Sequence, residues 1–441
     1  MMDYESFKGI FPRSFVKKLK ESIVPFNSPI KKEKILKELF EEVNSFTYHS
    51  SLPRDYIVSN KHNYVARIVP TFCAKDYFLY YLCLKMLEDE ITENRVEGTY
   101  GGWRLGNKIR LKEEIDEYYL DLDVSAPSNS FNPFLWMENW QEYQKKAYQY
   151  SKLNEYKHCI KFDISNFYNS INLELLKRKI YLVAPNKKRD YIELLFHFLS
   201  NWNKKFEGYS NKLVGIPQDE VGDCSRILAN FYLQDYDEFM KRLCDKHNSK
   251  YLRYSDDQII YSNNRLTARR ILFEASKYLS KTGLDINSGK VIEFDDTEKF
   301  NKYWAFEIFD LFADETDKEK INRGINLFLK WKKDGVDFRE SSVLKKIIGL
   351  DFKLIESGSM HKVISILFKK EFVSDLDWWA FNKIYTRLDG SYKKEFLSIL
   401  NELIDEVHFN SFHYNLVKFY QKNELSFDKK KISERINKLR I

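Results

Sequence analysis

The sequence predicts an α+β core followed by an all-α C-terminal region. Between residues 157 and 294, strand-like and helix-like segments follow the order strand, helix, hairpin, helix, strand. Beyond about residue 318, apolar residues recur at helical spacing and no segment alternates like a strand. A chain of 441 residues, 43% hydrophobic and 31% charged, is long enough for two or three domains and apolar enough for sizeable cores.

Taken in order, SPIKKEKILKELFEEVNSF predicts a helix capped by Ser28, with Pro29 at its first position. Ile35, Leu36, Leu39, Phe40 and Val43 fall on one face of it. Residues 75–92 read as a long, mostly buried helix, broken by the glycines of YGGWR at 100–104. KHCIKFDI (157–164) reads as a strand, and NLELLKRKIYLV and DYIELLFHFLSNWN as helices. SRILANFYLQDYDEFMKRL (225–243) reads as one amphipathic helix. RYSDDQIIYS (253–262) predicts a hairpin with Asp256 and Asp257 at its tip. ARRILFEASKYLSKTG predicts a helix closed by Gly283, and DINSGKVIEF a turn and strand. These strands predict one sheet with helices on one face. Segments 318–333, 341–356, 361–370, 376–388, 391–407 and 411–423 predict stacked helices resembling a short repeat array, without a strict repeat motif.

The composition narrows the class. Five scattered cysteines with no C-x-x-C pair exclude a zinc knuckle and point to a reducing compartment. No apolar leader or membrane-length run is visible, so we expect a cytoplasmic protein without membrane contact. The net charge of +7 falls in the last quarter of the chain, and aromatics reach 16%. Both suit nucleic acid, although a solvated surface and a core would use the same residues.

The chemistry concentrates in two places. Two adjacent carboxylates repel, and Asp is depleted in strands, so Asp256-Asp257 calls for a compensating cation. Asp163 ends the strand of KFDISNFYNSI. If the two strands are neighbours, three carboxylates converge as oxygen ligands for Mg²⁺. Two such ions would activate a 3′-hydroxyl and stabilise a leaving pyrophosphate.

The motif order resembles that of reverse transcriptases over roughly residues 60–310. FDISNFYNSI, GIPQ…SRILANFYLQDYD (215–237), RYSDDQIIYS and LSKTGLDINSGKVIEF (279–294) are similar to successive palm motifs. KYWAFEIF (302–309) stands where a primer-grip hairpin is expected, and VARIVP (65–70) resembles a fingers segment. The string departs from the family pattern at Asp219, where Gly is usual, and Ser225 lies seven residues after Gln218 rather than five. Gly222 is the residue left to make that turn.

The resemblance implies a right-hand polymerase: a helical extension over 1–60, fingers and palm over 61–310, and a helical thumb or repeat-like domain over 311–441. It implies that Asp163, Asp256 and Asp257 are catalytic and hold two Mg²⁺, with Mn²⁺ a possible substitute and the Ile164 carbonyl a further ligand. Tyr168 would be a steric gate favouring deoxynucleotides. Arg67 would meet the triphosphate, Gln218 the nucleotide or template, Lys290 the pyrophosphate, and Tyr254 would position the primer. The helical tail resembles that of bacterial defence-associated, abortive-infection reverse transcriptases. Their partners are dNTPs, a non-coding RNA template or a DNA product, and in some cases further copies of the chain. Some prime on a protein tyrosine instead. The competing readings are an RNA-dependent RNA polymerase, which Tyr168 argues against, and an inactive palm acting as a scaffold, which the three carboxylates argue against. A group II intron-type enzyme would carry a maturase or nuclease signature.

Overall fold

A computed structural model describes residues 3–440, apart from residues 27, 63, 103–104, 106–108, 112–117, 121–134, 204–214 and 219–223. Nine strands are described: β1 (Asp55–His62), β2 (Val65–Thr71), β3 (Thr99–Tyr100), β4 (Ile109–Leu111), β5 (Tyr118–Leu120), β6 (His158–Phe162), β7 (Lys250–Tyr254), β8 (Asp257–Ser262) and β9 (Ile292–Phe294). Five of them form a sheet in the order β3-β7-β8-β6-β9. Every pairing in it is antiparallel except that of β3 with β7.

Helices cover both faces of this sheet, not one. Tyr236, on the helix Gln234–Lys246, donates its hydroxyl to Gln258 Oε1 at 2.6 Å. Tyr261, three residues further along β8 and so on the opposite face, donates to the Ala147 carbonyl of the helix Leu135–Ser151 at 3.0 Å. Gln258 through Ser262 are all buried, as a central strand covered on two sides requires. Consecutive rather than alternating apolar residues, Ile259-Ile260-Tyr261, carry that signal; the one-face expectation overlooked it.

Other expectations shift at their ends. The first long helix spans Lys32–Asn44, after Lys31, and not from Ser28. Its buried residues are still Leu36, Leu39 and Val43. The single helix expected over 225–243 is two, Cys224–Tyr232 and Gln234–Lys246, interrupted at Leu233. Lys179 Nζ donates to the Tyr232 carbonyl at 2.8 Å, which draws that oxygen out of the helical ladder at the break. KYWAFEIF is not a hairpin. Residues Thr297–Tyr303 and Phe306–Leu311 are short helices joined through Ala305 in the left-handed region (φ 55°).

By packing, the chain divides into two units: Met1–Asp55 with Val69–Thr297, and Tyr56–Ile68 with Glu298–Ile441. This division crosses the spans 1–60, 61–310 and 311–441. In the first unit the N-terminal helices join the same core as the sheet domain, with the Phe15 ring tilted against Tyr81, centroids 4.3 Å apart, on the buried helix Ala74–Thr92.

In the second unit, the outer part of the β1–β2 hairpin is held by the helical tail. The fully buried Asn410 accepts from the Val58 N–H at 2.7 Å and donates to the Tyr56 carbonyl at 2.9 Å, as a neighbouring strand would. The tail is helical from Lys318 to Lys438. The break after Lys333 falls where expected, at Asp334-Gly335, whereas Ser357 and Gly390 begin helices instead of separating them.

Candidate active site at the hairpin end of the sheet

β6 and β8 pair antiparallel, with Phe162 opposite Gln258. One further step in that register sets Asp163 opposite Asp257. In the hairpin, Tyr254 pairs with Asp257, so the two-residue tip is Ser255-Asp256 and Asp257 opens β8. Ser255 takes the left-handed conformation (φ 56°) that so tight a turn demands. All three aspartates therefore gather at one end of the two central strands.

The loop after β6 is tied to the segment before β9. Ile164 bridges Ile286, flanked by bonds from Asn287 N–H to the Asp163 carbonyl and from Ser165 N–H to the Asp285 carbonyl. Neither flanking bond uses the Ile164 carbonyl. Lys290 follows in the same segment, and its Nζ lies 2.7 Å from Asp163 Oδ2. Asp163 is buried, and its Oδ1 has no hydrogen-bond partner among the described residues. Asp257 Oδ1 is held at 2.7 Å by Lys161.

The electrostatics show that these groups sense one another. Burial first, then Asp257 and Asp163, push the Asp256 carboxyl up to about 6, against an ordinary 3.8. Lys290 is raised, chiefly by its bond to Asp163 and further by the charges of Asp163, Asp256 and Asp257.

Sequence reasoning missed Arg253. It is fully buried beneath the hairpin and forks onto Asp237 at 2.7 and 2.5 Å. It also donates to Asn230 Oδ1 at 2.6 Å and to the Ser255 carbonyl at 2.8 Å. Asn230 in turn donates to the Gly101 carbonyl. This network ties the turn to both helices that follow GIPQ. The only available signal was an Arg-x-x-Asp string at a strand end, which is too common to single out.

Of the other expected residues, Tyr168 is half-buried on the short helix Phe167–Ser170. The GIPQ segment docks directly on that helix: Ile216 N–H donates to the Tyr168 carbonyl at 2.9 Å. A Cβ on Gly215 would lie 2.2 Å from that carbonyl, so only glycine fits. Gln218 ends this docked segment and is partly exposed; Asp219 and Gly222 lie outside the described residues. Tyr254 sits in an aromatic cluster, 4.9 Å from Trp140 and 5.7 Å from Tyr143. Arg67 lies exposed on β2, in the second unit.

Residues 113–305, somewhat under half of the chain, match the family model of the reverse transcriptase (RNA-dependent DNA polymerase). Over that stretch the chain is similar to reverse transcriptase domains. Such domains are those of RNA-directed DNA polymerases; they bind nucleic acid and nucleotides and typically use a divalent metal.

Among solved structures, one similar chain is apo telomerase from Candida tropicalis truncated of its C-terminal domain. Its TM-score is 0.36 at 12% identity, over 59% of this chain and 55% of that one. The untruncated apo telomerase from Candida tropicalis gives 0.36 and 12%, over 97% and 74%. Telomerase from Candida albicans in complex with a TWJ fragment of telomeric RNA gives 0.35 and 10%, over 91% and 67%. The chain thus spans about half the length of the first of these, and likeness at such scores carries no argument. No curated protein matches the chain. Among the described residues, no helix is long and apolar enough to cross a membrane.

The site fits a divalent cation by its donor set. Three carboxylates gather at one end of the sheet, one buried carboxylate oxygen lacks a partner among the described residues, and an adjacent carboxyl is shifted upward by burial and by its two neighbouring carboxylates. As the side chains stand, no three His, Cys, Asp or Glu among the described residues are set to enclose a metal ion. Two of the three carboxylates are turned to lysines instead.

Proposed function

We infer that this protein adds deoxynucleotides to a primer hydroxyl by copying RNA, with Asp163, Asp256 and Asp257 as its catalytic carboxylates. The observation that carries this reading is the β6–β8 register, which extends to set Asp163 opposite Asp257 beside Asp256 within a reverse transcriptase domain.

Asp163, Asp256, Asp257 and the Ile164 carbonyl would hold Mg²⁺, with Mn²⁺ a possible substitute. Such an ion would supply Lewis acidity toward the attacking hydroxyl and positive charge against the triphosphate. The buried Arg253 network fixes the hairpin turn, so the carboxylates are placed before substrate arrives. Lys290, which pairs with Asp163, would neutralise pyrophosphate as it leaves. Tyr168, backed by the docked GIPQ segment, would close the space beside the sugar 2′-carbon. Gln218 and Arg67 would contact the nucleotide, and Tyr254 would steady the primer end through its aromatic cluster.

The finer reading is bacterial anti-phage defence in the cytoplasm, supported by the helical tail following the palm. Synthesis would copy an associated RNA or start from a protein tyrosine. Tyr414 and Tyr420 are buried and poorly placed for priming, whereas Tyr385 and Tyr392 are half-buried on the tail.

The test is incubation with Mg²⁺ and labelled dNTPs or rNTPs. Incorporation of dNTPs that is lost in Asp256→Ala/Asp257→Ala supports the reading. Incorporation of rNTPs alone makes the protein an RNA polymerase. Incorporation of neither, with the lysine-paired carboxylates intact, makes it a scaffold. Sequencing copurified nucleic acid then separates templated from protein-primed synthesis.

A further inference from the structure

We propose that Lys161 is a built-in counter-ion that occupies Asp257 in the free protein and competes with divalent metal for it. This rests on the reading of the three aspartates as a metal site.

Strand alternation sets Lys161 and Asp163 on the same face of β6. Lys161 pairs with Ile259, so Asp257, two residues earlier on β8, is its diagonal neighbour on that face, within reach of a long side chain. Lys161 Nζ lies 2.7 Å from Asp257 Oδ1. The lysine side chain is 12% exposed and the aspartate 37%. Lys290 holds Asp163 in the same way at 2.7 Å, but from a side chain that is 52% exposed.

The two lysines differ in what displacing them costs. Lys290 can swing into solvent toward an incoming anion. Lys161 rises from the middle of a strand flanked by β8 and β9 and has little room to withdraw. Three carboxylates facing two ammonium groups leave one net negative charge, too little to draw in two divalent ions unaided. Metal entry at Asp257 must therefore break the Lys161 pair. The triphosphate, which carries its own cation and attracts Lys290, makes that exchange easier. The consequence is weak metal binding by the free protein and ordered loading with nucleotide.

The experiment is calorimetric titration of the full chain with Mn²⁺ alone, without nucleotide. Lys161→Met keeps the length of the side chain and removes its charge; it should bind Mn²⁺ about tenfold more tightly than the natural protein. Lys161→Arg, which grips a carboxylate in two places, should bind more weakly than the natural protein. It keeps the proposal testable if the methionine variant fails to fold. Equal affinity across the three proteins, or weaker binding by Lys161→Met, overturns the proposal. A double variant Asp256→Asn/Asp257→Asn should lose the binding. If no protein binds Mn²⁺ at all, the metal-site reading itself fails; if all bind alike, only the role of Lys161 does.

Discussion

Asp256→Asn should stabilise the metal-free protein at neutral and alkaline pH. The carboxyl is pushed up to about 6 from an ordinary 3.8, by burial first and then by Asp257 and Asp163. Its charged form is therefore disfavoured in the fold. Stability from the neutral acid is fully present below about 4 and is lost as pH rises through about 6. A shift of about two units corresponds to a ceiling of ~3 kcal/mol. Residual solvent access takes up part of that, which leaves about 1–2 kcal/mol. Asparagine keeps the shape and cannot ionise. Denaturant unfolding in EDTA at pH 8 should show the variant more stable by that amount, with the gain shrinking as pH falls from 6 toward 4. Saturating Mg²⁺ should reverse the order, because only the natural carboxylate gains from the ion. A variant that is no more stable than the natural protein at pH 8 in EDTA would refute the argument that burial and the neighbouring carboxylates disfavour the charged form of Asp256.

Three further outcomes follow from particular contacts. Arg253→Met should cost roughly 3–5 kcal/mol in unfolding experiments, because it strands Asp237 in the core beneath the hairpin. Asn410→Leu should lower stability by about 1–3 kcal/mol, since it leaves Val58 N–H and the Tyr56 carbonyl unpaired; faster hydrogen exchange at Val58 is the specific readout. Tyr168→Val should raise the use of rNTPs relative to dNTPs by at least about tenfold, measured as a ratio of kcat/KM values, and an unchanged ratio would remove Tyr168 as the gate.

What the sequence determined by itself was local chemistry and order. Adjacent aspartates in a β-rich run, a strand ending in Asp163, and glycine at element ends all act within a few residues. They indicated β6, the β7–β8 hairpin, β9 and the family resemblance that the domain match supports, but not β1 to β5. The tertiary structure alone decided which groups meet across long separations. Lys161 and Asp257 are 96 positions apart, and Lys290 and Asp163 are 127 apart. Neither lysine's partner is encoded by spacing, because sheet order and register choose it. The same holds for the second helical layer, for Asn410 clamping β1, and for the break at Leu233, where a side chain from another helix takes a carbonyl out of its ladder. Periodicity reports which face of an element is buried; only packing reports what buries it.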